Sequence, residues 1–276
     1  MAELAPKSAP KTNPNAHYLS DRFRLRTVPS CQILSYCHQS KQIPLTPHLG
    51  IVEDASENLP FTRYECETLA QQYRVPETRR LRGKQATLDN YKTLLHQIHR
   101  LHTSHHAASN LNDPLASVLQ LSDRELTLSQ LLTWRIPQLS EVFASACETH
   151  FTATELTDDL LTIATGFLCT GVRNVISTQW SVEDLASALL AIFYYKNRED
   201  GNSPSRALQR ARQQLRNLTG TELKTQYYQT LKTHLEQLGE PEKNVSRQKR
   251  LSELCQEDRP FASPYHWAGF ISQGRA

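Results

Sequence analysis

Apolar positions along this chain recur in two rhythms. Short runs rich in β-branched and aromatic residues, or alternating apolar with polar ones, fall at residues 22–28, 48–52, 77–81, 98–103, 142–146, 174–179 and 267–272, and each is predicted as a strand. Between them, apolar residues return at the spacing of helical turns over 64–72 and 88–98. Over 157–170 the repeat is Leu160, Leu161, Ile163, Ala164, Phe167 and Leu168, with Gly171 where a C-terminal cap would stand. Ser181 is expected to cap the apolar helix 185–195, and Glu183 and Asp184 would favour its positive start. Ser203 and Pro204 read as N-cap and first residue of the next helix. Residues 117–121 and 125–128, joined through Ser122-Asp123-Arg124, predict a small hairpin. Residues 237–258 are polar and charged and read as a surface connection before the last strand. Strands alternating with helices predict an α/β fold with a mostly parallel sheet.

Composition narrows this picture without changing it. The chain has 276 residues, 38% hydrophobic and 21% charged, which describes a folded globular protein. Residues 1–16 hold three prolines and no apolar stretch, so they read as a flexible leader and not a signal peptide, followed by one domain over 17–276. The apolar run 185–195 is far short of the roughly 20 residues a bilayer span needs. Six cysteines with no C-x-x-C pair suggest reduced thiols and a cytoplasmic location, with no membrane association. A net charge of +3 is too mild to imply nucleic acid. The basic helix side of Arg206, Arg210, Arg212 and Arg216, with Lys249-Arg250, reads as a solvated face.

Three chemistries compete with bland readings of the same residues. With nine glycines and neither G-x-x-x-x-G-K-[ST] nor G-x-G-x-x-G, the phosphate-binding loops are missing. His96, His99, His102, His105 and His106 have a spacing that zinc could use on a helix. The same segment must supply the strand 98–103, so we expect no metal and no cofactor, with His96 and His99 solvated; a zinc-binding regulator is the distant alternative. Cys147 ends the apolar run 142–146, and on burial statistics a free cysteine there is an inert filler. A nucleophilic reading needs a base. His106 follows the strand 98–103, and if that strand neighbours 142–146, both residues reach one sheet edge. The spacing leaves both readings of Cys147 open.

Ordered motifs add to this. LHTSHHA (101–107), DPLASVLQL (113–121), FASACETH (143–150), GVRNVISTQWSVED (171–184) and PFASPYHWAGF (260–270) follow one another, preceded by RTVPSCQIL and LPFTRYECETLA. Together they resemble the CHAT domain family, caspase-like peptidase domains often found with tetratricopeptide repeats, over about residues 18–272. The resemblance implies a caspase-haemoglobinase-like three-layer sandwich with a mostly parallel central sheet. It implies a cysteine–histidine dyad of Cys147 and His106, acting on protein or peptide substrates, with the backbone N–H groups of Cys147 and Ala107 holding the oxyanion. It also implies a tetratricopeptide-repeat or other sensor protein as regulatory partner. Three departures weigh on activity. Ala107 and His150 stand where the family usually has glycine, and Thr103 and Ser104 make the histidine strand more polar than usual. The expected function is therefore a cysteine endopeptidase, the alternative a catalytically inactive scaffold or protein-binding module. Glu183 and Asp184 would favour a basic P1 residue if they line the cleft, and otherwise simply serve a helix start.

Overall fold

The computed structural model describes residues 18–39, 44, 46–53, 60–104, 106–108, 110, 112–145, 162–239 and 241–275. The chain enters through two helices, α1 (Leu19–Arg22) and α2 (Cys31–Gln39), and then strand β1 (Leu49–Glu53). Helix α3 (Pro60–Gln72) leads to β2 (Arg80–Leu81), and α4 (Leu88–Leu95) to β3 (Arg100–Ser104). A small sheet follows, of β4 (Ala107–Ala108), β5 (Val118–Gln120) and β6 (Glu125–Thr127). Next come α5 (Leu128–Leu131), β7 (Glu141–Ala144), α6 (Ile163–Cys169) and β8 (Asn174–Thr178). The helical part comprises α7 (Asp184–Glu199), α8 (Pro204–Asn217), α9 (Gly220–Glu222), a π-helical turn (Leu223–Tyr227), α10 (Tyr228–Gln237) and α11 (Pro241–Leu254). Strand β9 (Phe270–Gly274) closes the fold.

The main sheet has the order β2-β1-β3-β7-β8-β9, parallel throughout except for β9, which runs antiparallel to β8. Its strands are buried on both faces because side chains alternate between two cores. Ile51, Phe143 and Ile176 face a core built with α3, α7, α8, α10 and α11. Val52, Leu101, Val142 and Val175 face a second core built with α4, α5, α6 and the small sheet. This is the three-layer, mostly parallel α/β arrangement expected of a caspase-like fold. Gly50 lets the α4 side come close: a Cβ there would lie 2.7 Å from Ile98 Cδ1.

Several local expectations shift. Residues 22–28 form no strand: Arg22 ends α1, and Thr27 alone bridges Gln273. Within 77–81, a 3-10 turn (Glu77–Arg79) leaves only β2 extended. Helix α4 ends at Leu95, so β3 begins at Arg100 and not at 98. The last strand starts at Phe270 because Pro264–His266 is a 3-10 turn. Ser181 does not cap α7; Glu183 occupies the N-cap position without a side-chain cap bond. Ser203 and Pro204 hold their expected positions, but Ser203 makes no side-chain cap bond either. The expected surface connection 237–258 is mostly helix α11. At the end of α6, Gly171 takes φ +110°, and the bonds Val172 N–H to Phe167 O and Gly171 N–H to Leu168 O complete a Schellman cap as its position foretold. Residues 1–16 and 157–161 lie outside the described residues.

Candidate active site

Strands β3 and β7 are direct parallel neighbours, with Arg100 opposite Glu141 and Thr103 opposite Ala144. The pairing runs one residue beyond β7, since Ser145 N–H donates to Thr103 O at 3.0 Å. Both chains therefore leave the sheet at the same carboxyl edge, where ligands bind in open parallel sheets. Past β3 comes His106, half-buried, and two residues past Ser145 in sequence comes Cys147. Cys147, its neighbours Ala146 and His150, and His105 lie outside the described residues.

The position of His106 is fixed by the small sheet. Its carbonyl accepts from Gln120 N–H at 2.9 Å, which makes His106 and Gln120 a hydrogen-bonded pair of the β4–β5 ladder. Ladder alternation then makes Ala107, opposite Leu119, a non-hydrogen-bonded pair whose N–H is directed away from β5. Ala107 is 5% exposed and packs in the second core. Ala107 lies in extended β4 and does not have positive φ; among the described non-glycine residues only Arg74 does. The methyl in place of the usual glycine therefore brings no backbone strain.

Beneath this edge runs a buried polar ladder that the sequence reading missed. His102 and Ser104 share one face of β3, as residues two apart must. His102 Nε2 lies 3.0 Å from Glu65 Oε1, a bent approach of ion-pair length outside hydrogen-bond geometry. Ser104 Oγ lies 3.3 Å from Glu65 Oε2 and 3.1 Å from Thr62 Oγ1. The His102 ring stacks on Phe143 with centroids 5.5 Å apart. These bonds tie α3 to β3 just below His106. The available signal was Glu65, a charge among Phe61, Cys66 and Leu69 on the inward side of α3.

Across β8, the C-terminal motif anchors Trp180. Its Nε1–H donates to Tyr265 O at 3.0 Å, and Gly269 lies beneath the ring, where a Cβ would come within 2.8 Å of Cε2. Glu183 and Asp184 follow. Asp184 Oδ2 accepts from Phe61 N–H at 2.7 Å, so it caps the start of α3 while standing in the first turn of α7. Glu183 Oε2 lies 3.5 Å from His266 Nδ1. Burial raises the Glu183 pKa despite the Arg250 cation, and burial with Arg250 lowers that of His266. Asp184 thus serves a helix start, while Glu183 holds the N-cap position of α7 without a side-chain cap bond.

The histidine-rich stretch is dispersed over separate elements. His96 closes α4, His99 Nδ1 accepts from His48 N–H at 3.1 Å, His102 is inside the core, and His106 lies past the strand. Among the described residues no group of three His, Cys, Asp or Glu could hold a metal ion. No helix among them is long and apolar enough to cross a membrane.

This sheet order, the paired exits of β3 and β7 and the ordered motifs define a caspase-like class of α/β domain. The chain matches the CHAT domain family over residues 3–275 and belongs to that family. No curated protein matches it.

Proposed function

We propose that this CHAT domain is a cysteine endopeptidase in which Cys147 is the nucleophile and His106 its base. The observation that carries the reading is the direct parallel pairing of β3 and β7, the condition under which residues just past both strands can meet at one sheet edge. In the proposed reaction His106 takes the thiol proton and the Cys147 sulfur attacks a peptide carbonyl. The C–N bond then breaks as His106 returns the proton to the leaving amine. Water, deprotonated by His106, hydrolyses the thioester and restores the thiol. The Ala107 N–H, directed away from β5, and the Cys147 N–H would bind the oxyanion. The Glu65–Ser104–Thr62 ladder under β3 would hold the strand that carries the base.

Asp184 is committed to α3, which leaves Glu183 as the acid for a basic P1 residue; a cleavage profile of Glu183→Gln with undiminished Arg and Lys preference would remove that role. His150, in the family's usual glycine position, favours a second reading as a non-hydrolysing protein-binding module. The separating experiment is cleavage of a proteome-derived peptide library by wild type, Cys147→Ala and His106→Gln. We expect each variant to lose about 10³-fold or more in rate with an unchanged melting temperature. Equal cleavage by wild type and Cys147→Ala would overturn the assignment.

A further inference from the structure

Beyond the β9 edge of the sheet, two strands from β7, lies a cavity of about 620 Å³ between the α1 exit and the start of α8. Arg22, Arg24, Arg26 and Arg206 line it, together with Phe23. Among the described residues none of these four guanidiniums makes an ion pair or side-chain hydrogen bond. Asp21, the one acid among the described lining residues, is already paired with Arg216 at 2.9 Å. The 14-residue helix α8 opens beside them: Ser205, in its first turn, lines the cavity. That helix start has neither an acidic residue in its first turn nor a side-chain cap bond, so its positive end faces the same space uncompensated.

Four cations and a bare helix start concentrated on one concavity are complementary to negative charge. The apolar residues interleaved with them select the kind of anion. In the order Arg22-Phe23-Arg24-Leu25-Arg26, Phe23 is 57% and Leu25 42% exposed. A phosphate ligand would engage the guanidiniums and leave both side chains in water. A peptide with carboxylates flanking apolar side chains would cover both kinds of surface. We propose that this cavity is a docking site for an acidic, apolar-containing segment of a partner protein. The site is separate from the carboxyl edge of β3 and β7, and its failure would leave the peptidase reading untouched.

The test is fluorescence polarisation of a labelled ten-residue peptide alternating glutamate with phenylalanine and leucine. The comparators are the same peptide with glutamine for glutamate, inorganic tripolyphosphate, and labelled oligodeoxythymidylate. Saturable binding of the glutamate peptide is expected, weakened at least about tenfold by Arg24→Glu combined with Arg206→Glu and weakened by added salt. Phe23→Ser should weaken peptide binding while leaving that of tripolyphosphate as in wild type. All three side chains are exposed, so matching thermal melts are expected. Absent peptide binding, equal binding of the glutamine peptide, or indifference to the charge reversals would overturn the proposal. So would tighter binding of tripolyphosphate or oligodeoxythymidylate, which would make this a phosphate site.

Discussion

Glu141 opens β7 at 2% exposure, and its carboxylate is surrounded by donors. Burial by itself would raise its pKa, but Arg198, then Arg100 and the Tyr194 hydroxyl, outweigh that and hold it below the ordinary 4.5. Arg198 Nη2 approaches Oε2 to 2.6 Å, Tyr194 donates to Oε1 at 2.6 Å, and Arg100 Nε stands 3.6 Å from Oε2. Removing the charge leaves two guanidiniums facing a neutral amide, and breaking a buried pair from one side costs about 3–5 kcal/mol. Glu141→Gln should therefore lower urea-unfolding stability by that order. Tyr194→Phe, which removes one hydrogen bond to a charged group, should cost about 1.5–3 kcal/mol. If Glu141→Gln unfolds at the wild-type midpoint, the cluster carries no stability. Nothing in the sequence flagged this residue, because Arg198 lies 57 positions away and a glutamate at a strand boundary looks like any exposed one. The places of His106 and Ala107, by contrast, were legible, since a strand before them and a hairpin after them both left periodic signals, while the roles proposed for them rest on the family resemblance.

At the scale of elements, Asp184 couples the starts of two helices, α3 and α7, through its bond to Phe61 N–H. Truncating a capping side chain costs about 0.5–2 kcal/mol. Asp184→Ala should lower the melting temperature correspondingly, and Asp184→Asn, which keeps an acceptor oxygen, should lose less. Equal effects would mean that the negative charge, not the hydrogen bond, carries the contribution. Strands β1, β7 and β8 were readable because each buries a short apolar run on both faces, and α7 because it is apolar nearly all round. Helix α11 was not, because its inward side offers only Asn244, Leu251 and Leu254 to a periodicity argument. The start of α7 was misread for a related reason. Val182 is buried in the core ahead of the helix, and the first turn begins only at Asp184, with Glu183 in the N-cap position.

For the whole molecule, strand order decides everything about the candidate site, and strand order is not written in hydrophobic periodicity. The pattern 98–103 and 142–146 predicted two strands; only the family resemblance, and then the β3–β7 register, made them neighbours. The same two-core architecture sets how the molecule responds to acid. On the α3 side, His234 of α10 is 5% exposed, with Nε2 2.7 Å from Pro60 O, its ring 5.6 Å from that of Tyr64, and Glu67 and Arg63 as charged neighbours. Burial lowers its pKa below the ordinary 6.5, outweighing the Pro60 carbonyl and Glu67. Its folded value is thus below its unfolded one, so the stability it contributes is present above about pH 6.5 and is lost as pH falls through the window beneath. His266 acts in the same direction, whereas Glu53 and Glu183, raised by burial, act in the opposite one. His234 is the cleaner probe because a second shifted group, Glu183, lies 3.5 Å from His266. The urea midpoint should fall between pH 7.5 and 5.5 in wild type. In His234→Gln, whose amide can still donate to Pro60 O but does not titrate, the fall should be smaller. Parallel pH profiles for the two proteins would show that the α3–α10 contact does not sense protons.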